Sequence, residues 1–466
     1  MSAHTLSLLR AGKLAGATRL DLSCGISDFP PEIFELADSL EILNLTGNRL
    51  SDLPDDLPRL KKLRILFCSD NEFRHLPPVL AECQGLSMIG FKSNRIEEVT
   101  ALPASLRWLI LTDNRIASLP ASIGNCTPLQ KLMLSGNRLA SLPDGMAACV
   151  NLELVRLAAN RFDRLPDWLL ELPKLAWLAL AGNPLCREPQ VTAAAIHWTD
   201  LELHEKLGEG ASGVIHRATR LSDGRPVAVK LFKGAMTSDG LPDSERAACL
   251  SAGDHPNLIP VLGEVAGHPA GTPGLVMDLI GPEFTPLAGP PSLETCSRDV
   301  YQPEASFPAA VVMKIARHLA SAGAALHVKG ILHGDFYAHN VLRGPEGAVF
   351  LGDFGAASFY PPEDARFEKL EVLAFGRLLG ELLDRCPDDI PGLQALARLC
   401  QSPEPSARPR FAEMLEGALA SAGLDGWKVV TDHLWRPNPH PPRRGKPALP
   451  KPSTPILLNA CETTPW

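Results

Sequence analysis

The chain lacks the paired cysteines of a disulfide scaffold. Its 11 cysteines are an odd number scattered singly, with no C-x-x-C pair, a usage that fits reduced, mostly buried thiols and a cytoplasmic location. A long apolar run is missing as well. The N-terminal stretch is cut by Arg10, Lys13 and Arg19, which leaves no signal-peptide core, and no later run reaches the ~18 apolar residues of a membrane span. No membrane partner is expected. There is no basic excess either: 45 Lys+Arg against 53 Asp+Glu give a net charge of −8, so no global positive field would hold nucleic acid or anionic lipid. With 45% hydrophobic and 21% charged residues, the chain is neither disordered throughout nor collagen-like. Its 466 residues exceed what one core usefully buries, and two or three domains are expected.

What is present is a period. The pattern L-x-x-L-x-L-x-x-N places asparagines at Asn48, Asn71, Asn94, Asn114, Asn137, Asn160 and Asn183, in steps of 23, 23, 20, 23, 23 and 23. A weaker first unit, with Gly25 in the asparagine slot, completes eight units over residues 18–186 of a first domain spanning 1–190. Each unit supplies a short strand and a return segment, and the apolar faces are buried only when neighbours stack. The short step before Asn114 should trim the convex side. Cys83, Cys126 and Cys149 each stand three residues before a repeat leucine and read as buried spacers. Residues between the leucines alternate outward, giving a mostly apolar concave column of Ile42, Ile65, Met88, Trp108, Lys131, Leu154 and Trp177. Six strand steps make a stripe of roughly 29 Å, long enough to mark a contact surface for a protein partner or for the chain's own second half. Together with Leu119-Pro120-Ala121-Ser122-Ile123, this pattern resembles the leucine-rich repeat family. The resemblance implies an α/β solenoid in which the asparagines are structural.

Residues 187–200 break the period, and strand patterning restarts at Leu201-Glu202-Leu203. Gly208, Gly210 and Gly213 form a G-x-G-x-x-G turn, where positions free of side chains let backbone N–H groups approach phosphates. A dinucleotide fold would place an acid ~20 residues on; here Val227-Ala228-Val229-Lys230 ends a strand on a cation. His333-Gly334-Asp335-Phe336-Tyr337-Ala338-His339-Asn340 and Asp353-Phe354-Gly355 follow in the order phosphoryl transfer uses. These motifs resemble the protein kinase superfamily over residues 201–427, as in soluble proteins that join leucine-rich repeats directly to a kinase. The resemblance implies an α+β bilobal fold that uses ATP and Mg²⁺. By it, Lys230 holds the α/β-phosphates and pairs with Glu245, with Asp243 as the alternative acid, Asn340 and Asp353 chelate the metal, and Asp335 takes or orients the acceptor proton. Ile215, Ala228 and Leu342 would sandwich the adenine, with Met277 behind it and Asp278 to Ile280 offering backbone hydrogen bonds.

Several positions depart from that pattern. Gly334 stands where most protein kinases carry the arginine that docks a loop phosphate, and only 11 residues run from Asp353 to Glu363. Control by loop phosphorylation is therefore not expected. Glu363 is read as the acid buttressed by Arg408, and Glu371 replaces the aspartate that supports the catalytic loop, with an extra methylene expected to loosen that support. A Ser/Thr protein kinase is the expected activity. The His-Gly-Asp form is also similar to aminoglycoside-type small-molecule phosphotransferases, and a pseudokinase adaptor, in which the repeats bind and the second domain scaffolds, is the third reading. The Pro-rich stretch 281–308 reads as a solvated loop, and residues 428–466 as a basic Pro-rich tail.

Overall fold

The structure, a computed structural model, describes residues 2–234, 236–237 and 239–419. The tail expected over 428–466 and the end of the 201–427 stretch lie outside the described residues. Helix α1 (Ser2–Arg10) packs on the first repeat, and strands β1 (Arg19–Asp21), β2 (Ile42–Asn44), β3 (Ile65–Phe67), β4 (Met88–Gly90), β5 (Trp108–Ile110), β6 (Lys131–Met133), β7 (Leu154–Arg156) and β8 (Trp177–Ala179) pair in parallel in chain order. The register runs Ile42, Ile65, Met88, Trp108, Lys131, Leu154, Trp177 across adjacent strands. Most return segments carry a turn of 3-10 helix, and the last forms α2 (Asp167–Leu170); the shortened unit between β4 and β5 has neither. The repeat leucines fill a continuous core, with Cys126 and Cys149 at 0% exposure. Burial pushes the Cys83 and Cys126 thiols up to about 11, which keeps them protonated spacers.

Each asparagine clamps two turns. Asn137 Nδ2 donates to Leu111 O and Leu134 O, both at 2.9 Å, while its Oδ1 accepts from Ile116 N at 3.0 Å. A buried strand end has no water for these groups, and the amide supplies both the donor and the acceptor they need.

The second half has two lobes. Strands β9 (Ala195–His197), β10 (Leu201–Glu209), β11 (Gly213–Arg220), β12 (Arg225–Phe232), β13 (Val261–Ala266) and β14 (Gly274–Asp278) form a sheet in the order β10-β11-β12-β14-β13-β9. The break after the repeats thus contributes an edge strand, parallel to β13. Helix α3 (Pro242–Ala252) lies against this sheet. The lower lobe holds α4 (Ala309–Val328), α5 (Ala365–Leu383), α6 (Pro391–Cys400) and α7 (Phe411–Glu416). By length and composition α4 could cross a membrane, yet half of it is buried, with Ile315, Leu319 and Leu326 at 0% exposure in the lobe core. The concave face of the solenoid is not free. Leu154 and Trp177 belong to the same buried cluster as the lower-lobe core.

Candidate active site

The nucleotide side of the cleft is built by β10 to β12. A Cβ at Gly213 would lie 2.6 Å from Leu231 O, so this glycine is required by the close approach of β11 and β12. At Gly208 and Gly210 a Cβ would meet nothing within 4 Å, which leaves that backbone open to a ligand. Lys230 ion-pairs with Glu245 of α3, the partner read from the sequence. Burial alone would favour the neutral amine, but Glu245 and Asp353 raise its pKa above the ordinary value and keep it charged. A cleft is lined by Gly210, Gly213, Ile215, Lys230, Met277 and Asp353 among others. Gly208, Ala228, Ile280 and Leu342 do not line it; Ala228 sits on β12 opposite Met277 of β14.

Across the cleft, the loop after α4 carries Asp335. Asn340 Nδ2 donates to Asp335 Oδ2 at 2.9 Å and to its carbonyl at 2.9 Å, and the Asn340 carbonyl accepts from Gly352 N at 2.9 Å. That last bond ties the loop to Asp353, which holds a left-handed φ of 54°, a strained backbone of the kind concentrated at functional sites. Glu371 does not loosen the loop. It is 0% exposed and accepts from Gly334 N at 2.8 Å and His333 N at 3.3 Å, with His327 Nε2 2.9 Å away. The extra methylene is accommodated by burial against His327, and this histidine outweighs desolvation to hold Glu371 below the ordinary carboxylate range.

One site residue escaped the sequence reading. Arg156, at the end of β7 and 2% exposed, reaches out of the solenoid into the second half: Nη2 donates to Asp335 Oδ1 at 2.6 Å, Nη1 to Gly334 O at 2.9 Å and Nε to Asp239 Oδ1 at 2.8 Å. Burial opposes the carboxylate charges, yet Arg156 keeps Asp335 below its ordinary pKa; Asp239 is pushed up by burial. A signal existed. Two residues along from the apolar column, the strands carry Asn44, Phe67, Gly90, Ile110, Met133, Arg156 and Ala179, and Arg156 is the only charge among them.

Two further expectations are corrected. Stretch 281–308 is not a solvated loop. Its Leu293 packs on Ile65, Phe67, Met88 and Ile110, Ser297 hydrogen-bonds Glu153, Arg298 pairs with Glu153 at 3.1 Å, and Asp299 pairs with His339 at 2.7 Å. The prolines set its course, but its few apolar and charged side chains find the concave face. Arg408 does not buttress Glu363, which is exposed; its guanidinium donates to the carbonyls of Ser402, Lys369 and, in the solenoid, Pro173. Two carbonyls of the lower lobe and one brought in by the docked repeats satisfy the arginine instead.

Gly334 fits the same contact. Its φ is 74°, and a Cβ there would lie 2.6 Å from both Ala356 O and Leu178 O. The repeat backbone comes so near that no side chain fits. Gly334→Ala is expected to destabilise the chain by about 2 kcal/mol, from positive φ and two backbone clashes, read as a lower urea midpoint; an unchanged midpoint would contradict this packing.

The family model described as protein kinase domain matches residues 201–372, and models described as leucine-rich repeat match residues 127–185 and 39–60. The chain is 30% identical over 176 residues to the serine/threonine-protein kinase mos of Xenopus laevis, covering 37% of this chain and 46% of that protein. It is 32% identical over 158 residues to a putative cyclin-dependent kinase F-2 of Oryza sativa subsp. japonica, covering 32% of this chain and 45% of the relative. The chain thus spans less than half the length of these relatives. A solved leucine-rich repeat protein of Leptospira interrogans aligns with 38% of this chain and 52% of its own, at 28% identity and a TM-score of 0.32.

Proposed function

We propose, for a chain that joins leucine-rich repeats to a protein kinase domain, that it transfers the γ-phosphoryl group of ATP to serine or threonine hydroxyls of proteins in the cytoplasm. The observation carrying this reading is that Lys230, Glu245 and Asp353 line one cleft, while Asp335 and Asn340 are bonded to each other and to the backbone beside Asp353. Serine/threonine specificity rests on the partial likeness to relatives bearing that name. The ten described cysteines are free, as a reducing compartment would keep them.

The donor set suits the implied ion. Asp353 offers a carboxylate, and Asn340 commits its Nδ2 to Asp335, so its amide oxygen is the group left for a hard cation. When bound, Mg²⁺ would neutralise charge on the phosphates. Lys230, held charged and fixed by Glu245, would place the α/β-phosphates; the open backbone at Gly208 and Gly210 would admit the triphosphate; Asp335 would orient the acceptor hydroxyl and take its proton.

Mg-ATP at ~100 times its Kd should stabilise the full chain by about 2.7 kcal/mol, seen as a rise in the melting temperature that Lys230→Met removes. Absence of any shift would sink the ATP-dependent reading. Labelled ATP then separates acceptors: label on serine or threonine of proteins is expected, whereas label on an aminoglycoside or another small alcohol would move the activity to the small-molecule class.

A further inference from the structure

The nucleotide side of the cleft is open and the acceptor side is covered by the chain itself. Both carboxylate oxygens of Asp335 are occupied, Oδ1 by Arg156 at 2.6 Å and Oδ2 by Asn340 at 2.9 Å. Beside them the Trp177 ring stacks on Tyr337 with centroids 4.0 Å apart and planes 6° from parallel, and both residues are buried. Leu180 N donates to Ser358 Oγ at 2.8 Å, fixing the segment after Asp353 to β8. Stretch 281–308 closes the flank through Glu153 and Asp299.

Resting on the kinase reading above, we infer that the repeat module holds its own phosphoryl-transfer site shut: through Arg156 and Trp177 its concave face takes the place of a protein acceptor, and transfer requires the two halves to part.

The physical argument has two steps. A general base must come within hydrogen-bond reach of the hydroxyl it serves, and here a guanidinium fills that reach. Finally, the contact is built to separate. The Tyr337 hydroxyl and Arg377 Nη1 are buried at the contact without hydrogen-bond partners. Unpaired buried polar groups oppose the docked state, and parting the halves returns them to water. Such a state is shifted by any ligand that prefers the open form.

The opposing reading makes Arg156 a positioning residue that orders the Asp335 loop in place of the arginine absent at Gly334. The two differ in sign. In the full-length protein, transfer from labelled Mg-ATP to dephosphorylated casein would be measured for wild type, Arg156→Ala and Trp177→Ala, alongside hydrogen exchange over residues 333–340. The second variant covers the chance that two carboxylates left without Arg156 impair folding. Inhibition requires transfer to rise at least roughly tenfold in a folded variant, with faster exchange in the loop and an unchanged melting shift with Mg-ATP. A fall in transfer on losing Arg156 establishes positioning and overturns the proposal, as does unchanged transfer despite faster exchange. If loop exchange rises and Mg-ATP still binds, yet no variant transfers phosphate, the catalytic reading itself fails and inhibition goes with it. If the melting shift is absent from the start, the nucleotide site is what fails.

Discussion

In the Arg156→Ala background, replacing Asp335 by Asn is expected to lower phosphoryl transfer by roughly 10² to 10⁴, the range a positioned acid or base supplies, with the Mg-ATP melting shift retained. The separation matters because the carboxylate has two partners with different roles. Asn340 ties it to the backbone beside Asp353, so the amide isostere keeps the loop geometry and removes the proton acceptor alone. In the wild-type background the same substitution tests the docked state. Asp335→Asn takes one anion from Arg156 but leaves Asp239 at 2.8 Å, and removes the repulsion between the two carboxylates. The loss of stability should be modest, about 1 kcal/mol. Arg156→Ala instead leaves two partly buried carboxylates facing each other without the guanidinium between them, and should cost more, about 2 kcal/mol. Urea unfolding of the two single variants checks the order; equal losses would mean that Asp239 contributes nothing to holding Arg156. Transfer surviving in the double variant would remove Asp335 from the chemistry.

How much of this was legible in the sequence follows from where each feature's cause lies. The ladder was legible because stacking forces each unit to repeat the same burial, and Asn137 must stand where its amide meets three backbone groups whatever the neighbouring solvent face carries. The pairing of Lys230 with Glu245 was legible through the kinase resemblance, which calls for an acid on the helix after that strand, where Asp243 and Glu245 both stand. The meeting of the two halves was not, since it depends on few residues whose local sequence looks ordinary. Arg156 is the one cation in its strand column, which otherwise carries a charge only at Asp21 at the far end, and Gly334 reads as a missing arginine until the carbonyl of Leu178 is seen beside it. Stretch 281–308 misled for a related reason: prolines report that a segment leaves the lobe, while Leu293, Arg298 and Asp299 decide where it lands. Arg408 shows the limit of carrying over a pairing. Its expected acid is exposed, because three carbonyls, one of them Pro173 of the repeats, already satisfy the guanidinium.

The largest stability effect is expected from the ladder. Asn137→Ala strips Ile116 N of its acceptor and takes one of two amide donors from Leu111 O and Leu134 O, which keep Asn114 Nδ2 and Asn160 Nδ2, in a core where Leu111, Ile116 and Leu134 are 0% exposed and no water can replace the lost amide. The orphaned buried N–H carries most of the cost, and at ~1 to 3 kcal/mol for such a group, with two weakened carbonyl bonds added, the loss is about 3 kcal/mol. In a one-dimensional stack this loss falls on the interfaces with both neighbours. Because β6, β7 and β8 are the strands that present Lys131, Arg156 and Trp177 to the second half, weakening the middle unit should also loosen the docked contact. Asn48→Ala provides the contrast: it joins the same kinds of groups, Leu22 O, Leu45 O and Ile26 N, but at the N-terminal end, where only the first unit can fray. Urea unfolding followed by circular dichroism should therefore show a large drop in midpoint for Asn137→Ala and a small early phase for Asn48→Ala. Equal effects at the two positions would mean that the repeats unfold as one block, and that the catalytic face is not held by its nearest units.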